Sequence, residues 1–328
     1  MEQAGPMKVV ITGGAGFLGR RLAARLLDLG ALDGQPVEEL VLLDVVAADG
    51  FADPRVRVVV GDIADPAVVR DAVAGASSVF HLAAIVSGQA EAEFDLGMRI
   101  NLDASRVLLE ACRATGTRPR VVFTSSVAVY GGDLPDVVLD STALNPQTSY
   151  GVQKACAELL LADYSRKAFV DGRVLRLPTV SVRSGTPNRA ASSFASGVIR
   201  EPVAGIASVC PVVPETRLWL LSPQRAVDCL VAGHGLDDLG PNRAVNLPGV
   251  SVTVAEMVDA LARIAGPEVA ELVRFEPDPE IQRIASGWPG AWDTGRATAL
   301  GLRGDDGIDA IVRAHIEEIG GRSGALPV

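Results

Sequence analysis

The run Thr12-Gly13-Gly14-Ala15-Gly16-Phe17-Leu18-Gly19 constrains this chain more than any other. It follows a β-branched stretch, MKVVIT over 7–12, and opens a helical apolar pattern over 17–29. Gly13 permits a sharp turn out of the strand. Gly16 lets backbone N–H groups approach a pyrophosphate at the helix N-terminus, beside Phe17 and Leu18, and Gly19 lets helix and strand pack closely. Such a run is also compatible with an ordinary tight turn, so the context decides. Asp44 closes the next apolar run, 39–44, where its carboxylate can accept hydrogen bonds from adenosine ribose hydroxyls. Val45, Val46, Ala47 and Ala48 follow, with no cation to receive a 2′-phosphate. Asp44 therefore favours NAD over NADP.

The alternation continues through the first half. Apolar runs at 55–60, 78–84, 120–125 and 173–177 read as strands. The segments 66–74, 91–115 and 149–170 read as helices, the first with Pro66 in its opening turn. Repeated βαβ units imply an α/β fold of Rossmann type, a doubly wound parallel sheet that takes ligand at the carboxyl ends of its strands. At those ends Asp62 and Ile63 are placed to meet an adenine, and Leu82, Ala83 and Ala84 to let a cofactor lie flat across the sheet. Either set also reads as plain packing.

Beyond residue 179 the rhythm breaks. Helical patterns over 190–200, 223–233, 252–265 and 308–319 are separated by loops rich in Pro and Gly, and Ser222 and Ser251 read as helix N-caps. The expected organisation is an NAD-binding domain over 1–180 and a smaller α/β substrate lobe over 181–328, with some segments returning to the first domain.

Composition closes off other classes. Hydrophobic residues make up 48% and aromatics only 4%, so the core must come from Val, Leu, Ala and Ile, which suits buried parallel strands. A net charge of −10 without a basic run argues against nucleic acid or an anionic membrane surface as partner. The four cysteines are dispersed and the three histidines do not join them, so no metal site is expected and a reducing compartment is. Residues 1–6 lack signal architecture and no apolar run is long enough to span a bilayer, which points to the cytoplasm.

Tyr150 and Lys154 stand at i and i+4 on one face of the 149–170 helix. A tyrosine is a feeble base at its ordinary pKa of about 10 and needs a nearby cation to hold the phenolate. Lys154 can supply that charge and hydrogen-bond a cofactor ribose. Ser126, at the end of the 120–125 run, can orient the reacting oxygen. Together they form a proton-transfer device beside a nicotinamide. A Tyr–Lys pair alone is usually a surface helix pair; its place after the glycine run and five strands gives it weight.

TGGAGFLG over 12–19, Asp44, Gly61-Asp62, His81-Leu82-Ala83-Ala84, Asn101, SSVAVYG over 125–131, Tyr150, Lys154 and Leu177-Pro178-Thr179 occur in the order found in extended short-chain dehydrogenases/reductases. The chain resembles that group, which contains the NAD-dependent sugar epimerases and dehydratases. The resemblance implies Ser126, Tyr150 and Lys154 as catalytic residues, Asn101 and Pro178 near the cofactor, and a homodimer through the helices at 91–115 and 149–170. The stretch 183–194 with the tail Ile199-Arg200-Glu201-Pro202 resembles the narrower group of D-erythronate dehydrogenases, which oxidise the C2 hydroxyl of a small sugar acid to a ketone.

A small aldonate needs a cation for its carboxylate, and an Arg fork suits one. Arg183, Arg189, Arg200 and Arg217 are candidates, with Arg183 and Arg200 favoured. Asn188, Ser192 and Ser193 are placed to read hydroxyls, and Ser87 and Thr179 complete the expected substrate contacts. Any single arginine has the surface as its ordinary fate. Two other functions share the first domain: a nucleotide-sugar epimerase or dehydratase, and a non-catalytic NAD-sensing protein.

Overall fold

The computed structural model describes residues 7–185, 190–237 and 239–322. Its centre is β1 (Met7–Thr12), whose Val9, Val10 and Ile11 are all fully buried. Because successive strand residues face opposite ways, Val9 and Ile11 pack on one layer of helices and Val10 on the other. Around it stand β2 (Gln35–Asp44), β3 (Val56–Val60), β4 (Ser78–His81), β5 (Arg120–Ser126) and β6 (Asp171–Leu177). Two short strands, β7 (Thr179–Val180) and β8 (Arg217–Leu221), lie outside this group. They are followed by β9 (Ala244–Asn246) and β10 (Val250–Thr253).

The large sheet runs β9-β6-β5-β4-β1-β2-β3, all parallel, with the short strand Ala31–Leu32 antiparallel on β2. This is the expected doubly wound Rossmann-type sheet. One layer is built on α1 (Phe17–Leu29), and the other includes α2 (Pro66–Val73), α3 (Ala104–Ala114) and α4 (Ser149–Arg166). The order reverses between β1 and β4, so the carboxyl ends of these strands open a crevice.

The chain leaves this sheet at Pro178. A proline has no N–H to give a ladder, so β6 stops at Leu177 and β7 starts in a second sheet, parallel to β8. There β8 also pairs antiparallel with β10. The later half of the chain also forms α5 (Phe194–Val203), α6 (Pro223–His234), α7 (Val254–Ala265), α8 (Pro279–Ser286) and α9 (Ile308–Arg322). Of these α6 packs back on α1, while α5, α7 and α9 share a third core with Val182, Leu218, Leu220 and Val252. The return of β9 to the edge of β6 ties the later half into the large sheet.

Local details differ from the sequence reading in two places. Ser222 caps α6, its Oγ accepting from Arg225 N at 3.2 Å, but Ser251 caps nothing. It lies within β10, whose ladder with β8 runs through Thr253, and Thr253 with Glu256 forms the capping box of α7. The run 91–115 is not one helix. The short helix Ser87–Ala92 and the turn Phe94–Gly97 lead into a wider π-helical turn, Met98–Asp103, before α3. Asn101 sits in that turn. Its Oδ1 accepts from Ile85 N at 2.8 Å, and its Nδ2 donates to Ile85 O at 3.1 Å and Gln153 Oε1 at 2.7 Å. Its amide is thereby satisfied on both sides.

Candidate active site

A cavity of about 630 Å³ opens across the carboxyl ends of β1, β2, β4 and β5 and reaches the later half of the chain. Gly13, Gly16, Phe17, Leu18, Gly19, Asp44, Asp62, Ile63, Leu82, Ala83 and Ala84 line one end. The glycine requirement is steric at Gly19, where a Cβ would come within 2.0 Å of Gly13 O. Any side chain there would push α1 off the loop. Gly16 is the N-cap of α1 and makes no side-chain cap bond, and the first turn carries no acidic residue. An uncapped, positive helix end facing the cavity fits a diphosphate. Asp44 fits the adjoining ribose: its Oδ2 accepts from Ala15 N at 3.0 Å, which fixes the carboxylate against the same loop. The residues present therefore suit a dinucleotide.

Asp62 is partly engaged. Its Oδ1 accepts from Ala64 N at 2.8 Å, and Arg99 pairs with Oδ2 at 2.6 Å and holds the carboxyl below its usual range. Arg99 also lines the cavity, a contact the sequence reading missed. Asn101 was expected beside the cofactor, yet it is absent from the cavity wall. It acts from behind, pinning the Ile85 loop to the α4 residue Gln153.

Ser126, Tyr150 and Lys154 meet at the other end. Ser126 ends β5, and its Oγ accepts from Ala128 N at 3.2 Å. Gly151 brings α4 against this turn so closely that a Cβ would stand 2.1 Å from Ala128 O. That contact delivers Tyr150 to Ser126. Burial pushes the Tyr150 phenol up to about 12, opposed by a hydrogen bond with Ser126 and by the positive charge of Arg183. Lys154 is 2% exposed, donates from Nζ to Thr124 O at 2.8 Å, and lies 5.7 Å from the Tyr150 ring centroid. Burial pulls its ammonium down to about 7, and Glu158, one helical turn further on, acts in the opposite direction. Below them His81 is hydrogen-bonded to Thr12 Oγ1 at 2.8 Å and Ser105 Oγ at 2.9 Å, and burial lowers it to about 3, so it is neutral.

The later half contributes Pro178, Thr179, Arg183 and Ser192 to the cavity, and Ser87 comes from the loop after β4. Ser87 Oγ accepts from Ala191 N at 3.3 Å, which links the start of the helix Ser87–Ala92 to the turn Ala191–Ser193. Arg183 is half-buried; Ser196 Oγ accepts from its N at 3.0 Å, and its pKa is lowered by burial and by the neighbouring Arg200. Arg200 does not face the cavity. Its Nη1 donates to Arg183 O at 2.8 Å and its Nη2 pairs with Glu201 at 2.5 Å, so its fork is already filled. Arg217 is an exposed residue bonded to Ser251 Oγ at 3.3 Å and is likewise off the cavity. Asn188 and Arg189 lie outside the described residues. Glu91, Thr148, Ile284 and Trp288 also line the cavity and were not anticipated. Thr148 was legible as the N-cap of α4, but Ile284 and Trp288 carry no local signal.

Residues 9–214 match the NAD dependent epimerase/dehydratase family. The chain is 63% identical over 321 residues to a D-erythronate dehydrogenase of Cupriavidus necator, covering 96% of this chain and 99% of that one. It is 46% identical over 316 residues to a D-erythronate dehydrogenase of Haemophilus influenzae, covering 95% and 99%. Among solved structures it is similar to a nucleoside-diphosphate-sugar epimerase from Agrobacterium tumefaciens. That match has a TM-score of 0.91 at 44% identity, over 96% of this chain and 95% of that one.

Proposed function

As this chain belongs to the NAD dependent epimerase/dehydratase family, an oxidoreductase by its kinship, we propose that it oxidises the C2 hydroxyl of D-erythronate, or a closely similar small sugar acid, to the 2-keto acid. The observation that carries the reading is Arg183, a half-buried cation on the cavity wall whose charge is felt at the Tyr150 phenol. An anionic carboxylate held there would sit beside the proton-transfer group, which suits a hydroxyl on the adjacent carbon.

NAD, when bound, supplies a hydride acceptor. The uncapped first turn of α1, Asp44, Asp62, Ile63, Leu82, Ala83, Ala84 and Pro178 would hold it, with Lys154 at the nicotinamide ribose. Tyr150 takes the C2 hydroxyl proton as the carbonyl forms. Ser126 lowers the pKa of that phenol and would orient the same oxygen. Ser126 and Arg183 both favour the phenolate, opposing the burial that disfavours it. Thr179, Ser87 and Ser192 are the hydroxyl partners for the rest of the substrate. The same reading takes the protein as a cytoplasmic homodimer. Leu159 and Val152, exposed at 67% and 44% on α4, are apolar surface of the kind such a contact covers.

A second reading follows from the Agrobacterium relative, whose name is that of a nucleotide-sugar enzyme. The cation at Arg183 favours the sugar acid over it, since it offers a partner to a carboxylate beside Tyr150.

D-Erythronate carrying deuterium at C2 tests the assignment. The label should leave the substrate and appear in the reduced nicotinamide, with a 2-keto acid as product. Label retained in an oxidised product would place the reaction at another carbon.

A further inference from the structure

Resting on the sugar-acid reading, we propose that Trp288 and Ile284 form a wall that limits how long a substrate chain the site accepts. They are the only described residues beyond Ser192 that line the cavity. Ile284 projects from α8, and Trp288 follows that helix, its N donating to Ala285 O at 3.2 Å. Their position at the reacting end rests on three contacts. Helix α8 packs on the turn Ala191–Ser193, which carries Ser192 and adjoins Arg183 through that residue. Trp288 packs against the apolar cluster that holds Val127 and Val129, the turn directly after Ser126. It also packs against the later half's own core, so it is braced from both sides.

A linear acid entering this site is fixed at one end. Its carboxylate meets Arg183, and its second carbon meets Ser126 and Tyr150. The carbons beyond must then run along the remaining wall, and an indole braced by two cores does not swing aside. Hydroxyls pressed on such a surface also lose water without gaining partners. A four-carbon chain ends before that penalty accumulates; a six-carbon chain does not. Chain length would thus be set by residues just over a hundred positions away in sequence from the arginine that fixes the head group.

The test compares D-erythronate with D-gluconate as substrates for wild-type enzyme, Trp288→Ala, Trp288→Leu and Ile284→Ala, each with NAD. Wild type should favour the four-carbon acid by roughly 100-fold in kcat/KM, a discrimination of the size one or two misfitted groups give. Trp288→Ala should narrow that ratio about tenfold or more, chiefly by improving the longer acid, and Ile284→Ala by less. NAD affinity should stay within about twofold, since neither residue lies with the adenosine contacts. If Trp288→Ala does not fold, Trp288→Leu carries the same expectation with a smaller opening. Unchanged ratios in the folded variants, or a wild type indifferent to length, would overturn the wall while leaving the sugar-acid reading standing. A wild type that oxidises neither acid would instead overturn that reading, and the wall with it.

Discussion

The two ends of the cavity are built by different means. At the end that suits a dinucleotide the lining groups are backbone amides, apolar side chains and two carboxylates, Asp44 and Asp62, delivered by neighbouring strand ends and the start of α1. At the end proposed for the substrate they are side chains from widely separated segments: Ser87, Tyr150, Arg183, Ser192, Ile284 and Trp288. A site made of backbone depends on local conformation and so on short motifs. A site made of long side chains depends on how the later half packs, and each contact there can be exchanged without disturbing the sheet. The first kind is suited to a shared cofactor and the second to a particular substrate.

Substitutions that break this contrast rank by where they fall. Tyr150→Phe should cost the most, about 10²–10⁴ in kcat, because only the proton acceptor is removed. NAD affinity, measured by quenching of protein fluorescence, should barely change; a variant keeping more than half of wild-type kcat would take Tyr150 out of the mechanism. Arg183→Met should follow. Losing one charge-assisted contact of about 1.5–3 kcal/mol should raise KM for the acid by roughly 10- to 100-fold. Arg200→Ala should do less, since Arg200 braces the Arg183 carbonyl and Glu201 and does not face the ligand. Steady-state kinetics with equal effects from the two would erase the distinction drawn between them.

Asp44→Ala acts at the other end and should be milder, raising KM for NAD about tenfold while narrowing the gap to NADP. A wild type that already prefers NADP would contradict the role given to Asp44. The effect that touches turnover least concerns stability and pH. His81 is held neutral at about 3, below its ordinary 6.5. The unfolded chain then binds more protons between those values, so stability is complete above pH 6.5 and declines as pH falls toward 3. Urea midpoints followed across that window should show the decline, and His81→Gln should reduce it, the remainder coming in part from His234, which burial lowers to about 4.

Much of the dinucleotide end was legible because its constraints are local. A strand, three glycines and a helix leave few conformations, and Asp44 ends the next strand at the same sheet edge. Tyr150 and Lys154 were legible for a similar reason, sharing one turn of α4. Asn101 was visible as a polar residue on a helix, but its partners at Ile85 and Gln153 come together only through tertiary packing. Arg200 looked as available as Arg183, and only the fold shows one fork filled by Glu201 and the other turned to the cavity. Strands of two to five residues such as β7, β8 and β10 carry too few alternations to stand out from loops. Trp288 was unreadable because its neighbours are set by two separate cores.

The central claim is net oxidation of a sugar acid, and the most direct measurement is a cofactor balance. Purified protein given D-erythronate and excess NAD should release reduced nicotinamide into solution in step with acid consumed, one for one, leaving the 2-keto acid. Interconversion of a UDP-hexose with no reduced nicotinamide accumulating, together with no turnover of any four- to six-carbon sugar acid, would contradict it.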